Sequence, residues 1–516
     1  MVVQNKPTVL GVEFGSTRIK AVMLDDEHNI IATSDYSWQA ELENGIWTYK
    51  LLDVWKGFKA VLESLPQRDR VGSVGVSGMM HGYLAFDKDW NLLVDFRTWQ
   101  NTITEKASNE LSERFGTNIP QRWSIAHFYQ AILNGEEHVD EVAHITTLSG
   151  YVHFMLTGCN VVGIGEASGM FPVDSESLDY DKKLLSLFDE LLHERKIDKD
   201  IQSLLPRVLT AGEYAGSLTE QGNARINNLL EVGLRFAPPE GDAGTGMVAT
   251  NSVAPFTGNV SAGTSIFSMV VLDKALRKNY REIDIVATPT GKPVAMIHCN
   301  NCTRDINDWI EVLRQTAVLF GANPDTNELF TKLYMASLEG DADCGGIVAY
   351  NYVAGEELTK LNEGRPLVVR RPNSIFTVNN FIKAHLYSAF TTLKIGMEIL
   401  EHEGVEIKSM VGHGGLFKTP GVAQSYLAAA CDTPVTCMSM AGEGGPYGMA
   451  LLTAFMEWRE EKERLEQYLE KRVFSVTEIV VARPKKADVE GFQKYMENFK
   501  KCLVLEKTAV SVLPNM

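Results

Sequence analysis

The sequence has no apolar run approaching the roughly 20 residues that a membrane-spanning helix needs, so no membrane partner is expected. It has no P-loop of the GxxxxGKS or GxxxxGKT kind, and no GxGxxG follows its first apolar run. The P-loop and Rossmann modes of nucleotide binding are therefore unsupported, and with them a dinucleotide-dependent dehydrogenase. Basic residues are the minority: 49 Lys and Arg against 66 Asp and Glu give a formal net charge of −17, which excludes a general nucleic-acid binder. Cysteines number only 7, an odd count scattered along the chain, which suits a reducing cytosol; a cytoplasmic protein is expected. Cys299-Asn300-Asn301-Cys302 has redox-motif spacing, but no second pair completes a zinc site. Met1 to Lys6 shows neither an apolar core segment nor a cleavage site, so no secretion signal is expected. What is present is 516 residues, 45% hydrophobic and 22% charged, enough for two or more domains with cores of their own.

The most informative stretch runs from Pro238 to Phe267. Asp242 stands between Gly241 and Ala243-Gly244, at the head of a small-residue run that reads as a tight loop entering a helix. Small neighbours let a hydroxyl and a phosphate approach the backbone, and a carboxylate placed there can accept the proton of an attacking hydroxyl. Gly263-Thr264-Ser265 follows, between apolar β-type runs at Val253–Val260 and Ile266–Leu272: a hairpin whose turn offers N–H groups and hydroxyls to an anion. An acidic turn residue beside an ordinary hairpin is the alternative; base and anion turn together point to phosphoryl transfer. The pattern recurs near the start, where Gly15-Ser16-Thr17 lies between β-type runs at Thr8–Glu13 and Ile19–Leu24. The offset, 263 − 15 = 248 residues, is near half the chain and predicts two related halves whose turns would grip a polyphosphate from both sides.

Between the hairpins, Trp55–Leu65 has helical apolar spacing. Val71–Val76 reads as a buried strand, placing Met80-His81-Gly82 in a loop at its C-terminal end, where α/β proteins bind ligands. His81 is read equally as a ligand contact or a structural histidine. Trp99 to Asn101 lie in an aromatic and amide-rich loop suited to a sugar, or simply to burying a tryptophan. Leu148–Thr157 reads as a helix closed by Gly158, and Glu166–Phe171 as a small-residue turn. In the second half, Met296–Cys302 is expected as a strand, and Asn307–Gly321 and Phe381–Glu401 as helices. Ser409–Val411 leads into Gly412-His413-Gly414-Gly415, with Thr419 and Pro420 as N-cap and first residue of a helix to Ala430. Gly442–Gly448 opens another helix, and the two glycine loops could wall a nucleotide. Glu457–Arg472 is expected as one solvated surface helix with Phe455, Trp458, Leu465, Tyr468 and Leu469 on one face.

Taken together, the chain resembles the FGGY carbohydrate kinases of the actin/hexokinase-like superfamily. The resemblance spans nearly all of it and rests on G-V-E-F-G-S-T-R-I-K (11–20), S-G-M-M-H-G (77–82), E-G-D-A-G-T-G (240–246), S-A-G-T-S (261–265), G-H-G-G-L-F-K-T-P-G-V-A-Q (412–424) and E-G-G-P-Y-G-M-A-L-L (443–452). Met80-His81-Gly82 is similar to the xylulokinase branch. The resemblance implies an α/β fold of two RNase H-like, actin-like ATPase domains with an interdomain cleft, sugar-binding over 1–250 and ATP-binding over 251–516. It implies Asp242 as general base and substrate contact; Gly15, Ser16, Thr17, Gly263, Thr264 and Ser265 for phosphate; and Gly414, Gly415 and Gln424 on the adenosine side. His81, with Met80, Trp99 and Asn101, would meet the sugar, and Glu13 would hold Mg²⁺.

The sequence departs from the family pattern at three places: Glu13 stands where an aspartate is usual, Asn101 and Ile103 replace the aspartate and arginine after the tryptophan, and Gly355-Glu356-Glu357 replaces G-E-R. The expected activity is ATP-dependent phosphorylation of the terminal hydroxyl of a ketopentose, D-xylulose or L-ribulose, with ATP and Mg²⁺ as cofactors and a homodimer as the candidate assembly. Kinases of L-fuculose, gluconate or glycerol, and a non-sugar ATPase of the same superfamily, are the alternatives.

Overall fold

The computed structural model describes residues 8–438, 444–475 and 479–514. Met1–Lys6 and the Gly442-Glu443 start of the last glycine loop lie outside the described residues. The chain forms two compact α/β units: residues 1–254, 273–294 and 443–477 make the first, and 255–272, 295–442 and 478–516 the second.

In the first unit the strands run Arg235–Phe236, Ser73–Gly78, Val9–Phe14, Arg18–Leu24, Ile30–Ser37 across the sheet, with Glu240–Gly241 also paired to Ser73–Gly78. Val9–Phe14 is antiparallel to Arg18–Leu24 and parallel to Ser73–Gly78. One face buries Leu10, Val12, Phe14, Val74 and Val76 with Val54, Phe58, Val61 and Leu62 of the helix Leu51–Ser64, whose apolar residues recur at helical spacing. The other face carries Gly11 and Gly75, which are partners in register. There the helix Gly445–Trp458 lies directly on the sheet: a Cβ on Gly11 would stand 2.2 Å from the Pro446 carbonyl oxygen, and one on Gly75 2.3 Å from Thr453 Oγ1. The helix Leu148–Thr157 ends at Gly158, whose φ of +74° suits glycine.

In the second unit the order Pro293–Cys299, Ile266–Val271, Thr257–Ala262, Ser409–His413, Val435–Met438 repeats that of the first from its third strand inward. Thr257–Ala262 is again antiparallel to the next strand and parallel to the fourth, and begins 257 − 9 = 248 residues after its counterpart. The helix Val378–His402 buries most of its length.

Several expected elements differ. The strand expected from Val253 begins at Thr257. Glu166 falls in one helical turn, Ile164–Ala167. Thr419 and Pro420 do not start the helix, which runs Val422–Cys431 from an N-cap at Gly421, because the Gln424 side chain accepts from the Gly421 N–H (2.8 Å) and closes the first turn there. The charged stretch 457–472 is not one helix. The preceding helix stops at Trp458; Glu463 then folds a turn by accepting from Glu460 N–H (3.0 Å), and Arg472 bonds both glutamates. Helical structure resumes at Leu465–Val473, and Leu465, Tyr468 and Leu469 are buried rather than lining a solvated helix. No described helix is long and apolar enough to cross a membrane.

Candidate active site

The Gly15–Thr17 turn joins the first two strands of the first unit. All three of its carbonyl oxygens are bonded from behind: Gly15 O accepts from Trp38 Nε1 (2.7 Å), Ser16 O from Tyr49 OH (2.6 Å) and Thr17 O from Trp38 N–H (3.1 Å). The Gly15 N–H is bonded to Arg18 O (3.0 Å), so with the carbonyl dipoles turned away the Ser16 and Thr17 N–H groups and hydroxyls are the face offered to an anion. Trp38 and Tyr49, 4.4 Å apart between ring centroids, carried no motif in the sequence.

Asp242 opens the helix Asp242–Ala249, half-buried, and its Oδ1 accepts from the Met80 N–H (3.1 Å). That bond ties the acid to the loop after Ser73–Gly78. In that loop His81 is buried at φ +73°, a strained value for a non-glycine residue. Its Nδ1–H donates to Gly169 O (3.2 Å), and a Cβ on Gly169 would stand 2.6 Å from Nδ1. Burial, and then the Arg122 guanidinium, hold His81 well below the usual imidazole range. It is neutral, and its Nε2 is a lone-pair acceptor. The ring lies near-parallel to Trp123, centroids 6.4 Å apart, whose Nε1 is buried without a partner among the described residues.

Trp99 is 37% exposed and donates from Nε1 to Ser16 Oγ (3.3 Å), linking the aromatic loop to the first turn. Asn101 is differently placed from a sugar contact: it is buried, its Oδ1 accepts from Trp47 N–H (2.8 Å), and its Nδ2 donates to Trp47 O (2.9 Å) and Thr98 O (3.0 Å). Its amide is consumed in holding the loop that carries Trp99.

Four carboxyl groups crowd this region. Glu13, Ser77 and Glu240 are in register across three strands, so their side chains share a face. Glu13 is pushed up to about 8 by burial and then by the charge of Asp242. Glu240 is also raised to about 8 by burial, although the N–H groups of Glu166 (3.0 Å) and Gly165 (3.4 Å) donate to it. Glu166, fully buried, accepts from Ser149 Oγ (3.2 Å); burial, Glu240 and Asp242 hold it well above the carboxylate range. Asp242 itself is raised by burial, against the Met80 N–H bond. The Asp242 charge adds to burial in keeping Glu13 and Glu166 protonated. Sequence reasoning missed Glu166 and Glu240; the signal was an acid before A-S-G and another before G-D.

Glu13 Oε2 faces Gly445, where a Cβ would lie 1.4 Å away. The glycines after Gly444 therefore seat a helix and a carboxyl in the first unit. Among the described residues no group of three or more His, Cys, Asp or Glu side chains is arranged to hold a metal ion. Glu13 beside Asp242 still fits Mg²⁺: both offer hard oxygen, a cation would offset the repulsion between them, and Mg²⁺ keeps several waters and needs only one or two protein carboxylates.

In the second unit, Gly263 O accepts from Thr303 N–H (3.2 Å) and Thr303 Oγ1 (2.8 Å), and Thr264 O from Cys302 N–H (3.0 Å), so this turn too is bonded from behind. Gly414 has φ +95° and lies so close to the sheet that a Cβ would be 2.5 Å from Ala262 O, while Gly415 is open. Gln424 is buried, its amide bonded to Gly421 N–H and Val480 O (3.4 Å), so it shapes its loop. The Cys299 and Cys302 thiols are buried and pushed up, which leaves them protonated and inert.

Comparison with known proteins gives two matches to one family. The N-terminal domain of the FGGY family of carbohydrate kinases matches residues 8–229, and its C-terminal domain residues 258–457. The chain is 25% identical to a glycerol kinase of Thermococcus kodakarensis over 287 residues, covering 52% of this chain and spanning only 54% of that protein. It is 21% identical to a xylulose kinase of Haemophilus influenzae over 513 residues, 95% of this chain and 98% of that one. Among solved structures, a ligand-bound xylulose kinase of Lactobacillus acidophilus superposes with a TM-score of 0.79 at 14% identity, covering 98% of this chain and 99% of the other, a likeness of fold.

Proposed function

The chain belongs to the FGGY family of carbohydrate kinases, and from that premise we propose that it transfers the γ-phosphoryl group of ATP to the terminal hydroxyl of a five-carbon ketose, D-xylulose or L-ribulose. The observation that carries the reading is the bond from Met80 N–H to Asp242 Oδ1, which fixes the acid against the loop that bears His81. Asp242, whose charge helps keep Glu13 and Glu166 protonated, accepts the proton of the attacking hydroxyl. The neutral His81 accepts a hydrogen bond from a sugar hydroxyl on Nε2, the Trp123 Nε1–H, without a partner among the described residues, donates to a sugar oxygen, and Trp99 covers the apolar side of a short chain. Each turn, Gly15–Thr17 in the first unit and Gly263–Ser265 in the second, is by itself suited to a phosphate on its N–H and hydroxyl face. Glu13 would hold Mg²⁺ through water, and the ion would supply positive charge to the phosphates. Positioning and charge stabilisation account for most of such a transfer.

A second reading, a glycerol kinase, is favoured by the likeness to the Thermococcus kodakarensis protein. An ADP-release assay across D-xylulose, L-ribulose, L-fuculose, gluconate and glycerol separates the two. A pentulose should show the highest kcat/KM; glycerol or gluconate exceeding every pentulose overturns the substrate assignment. Asp242→Asn should lower turnover about 10²–10⁴-fold with ATP affinity little changed.

A further inference from the structure

The two Gly-hydroxyl-hydroxyl turns share a construction that the sequence does not display: each has carbonyl oxygens bonded by groups from elsewhere in its own unit. Trp38 and Tyr49 do this for the first turn, Cys302 and Thr303 for the second. The loop that carries Cys302 and Thr303 is held firmly in turn. Asn301, 1% exposed, accepts on Oδ1 from Val353 N–H (2.9 Å) and Ala354 N–H (3.0 Å). Its Nδ2 donates to Ala354 O and Glu356 Oε2, both at 3.1 Å. Asn300 N–H donates to the same Glu356 oxygen (3.0 Å), and Asn351 Nδ2 to Cys302 O (2.8 Å). A buried amide with its carbonyl and NH₂ groups both bonded fixes a backbone in one conformation. The spacing Cys299–Cys302 thus belongs to a rigid support, with both thiols buried and pushed up by that burial.

We propose that Thr303 is a positioning residue for ATP: its hydroxyl and N–H together hold the Gly263 carbonyl turned away from the anion, and Asn301 anchors the loop that delivers it. The inference rests on the reading of Gly263–Ser265 as a phosphate turn. Glycine permits the Gly263 peptide to rotate, so losing the hydroxyl leaves one 3.2 Å bond to keep a carbonyl oxygen from facing the phosphates.

The test compares Thr303→Val, similar in shape but without a hydroxyl donor, with Thr303→Ser, which keeps it. ATP affinity is measured by calorimetry without sugar, beside KM for ATP, KM for the acceptor and the melting temperature. Thr303→Val should weaken ATP binding about tenfold, the loss expected for one hydrogen bond. It should leave the acceptor KM within about twofold, and Thr303→Ser should restore ATP binding. Thr303→Ala serves in place of the valine variant should that fail to fold. Unchanged ATP affinity with a lowered melting temperature, equal loss for ATP and acceptor, or no restoration by serine each overturns the proposal. Calorimetry needs no acceptor, so a wrong sugar leaves this result intact; a wild-type chain that binds no ATP overturns both readings.

Discussion

At the scale of single residues, the cluster around Asp242 sets the pH behaviour. A base must be ionised to act, and burial raises Asp242 above the ordinary aspartate value of about 3.9. The acid limb of kcat/KM should therefore fall at a higher pH than an exposed aspartate would give; a limb at or below that value in the pH–rate profile refutes the burial argument. Glu240 acts on stability with the opposite sign from an ion-paired acid. Its folded value near 8 exceeds the ordinary 4.5, so the folded chain holds a proton that the unfolded chain releases, and stability falls as pH rises from 4.5 to about 8. Glu240→Gln should flatten that fall, whatever its effect on absolute stability; denaturant melts at the two ends of the window measure the slope. Asn101 illustrates what residue identity alone conceals. Asn101→Asp sets a carboxylate oxygen against Trp47 O and Thr98 O, at a cost of about 1–3 kcal/mol in a urea melt, and should leave the ranking among sugars unchanged. A changed ranking at unchanged stability would put Asn101 back on the sugar.

At the scale of elements, the helix Gly445–Trp458 rests on the first sheet only because no side chain intervenes. Gly11→Ala places a Cβ against the Pro446 carbonyl and the Ala450 N–H, backbone that cannot move aside cheaply, so a loss of about 1–3 kcal/mol or more is expected. Gly246→Ala is the control: nothing lies within 4 Å of its Cβ, it sits inside the helix Asp242–Ala249, and replacement there should be neutral or stabilising by up to about 1 kcal/mol. Equal losses in both variants would refute the seating argument. The strand–turn–strand and helix elements were legible because their apolar residues recur at period 2 or 3.6. The stretch 457–472 was not, because its charges describe a helix surface and a side-chain-capped turn equally well, and only the Glu463 and Arg472 contacts distinguish them.

At the scale of the whole molecule, the first unit is not a continuous piece of sequence. It takes residues 273–294 and 443–477 from the second half, among them the helix that covers Gly11 and Gly75. A fragment ending at residue 254 therefore leaves one sheet face bare and should lack a cooperative melt and bind a hydrophobic dye. A sharp, native-like transition in that fragment would refute the dependence.

The sequence by itself determined the family, the 248-residue repeat of the two hairpins and the position of Asp242, because each depends on local pattern: small residues where backbone must be approached, apolar alternation where a strand is buried, a carboxylate among glycines. Only the tertiary structure decided that Gln424 and Asn101 serve their own loops, that Glu166 and Glu240 lie buried near Asp242, and that Trp38, Tyr49 and Thr303 hold the turns from behind. The physical reason is that a polar side chain takes its role from the partner its donors and acceptors find, and that partner can lie 3 residues away, as for Gln424, or 54, as for Asn101.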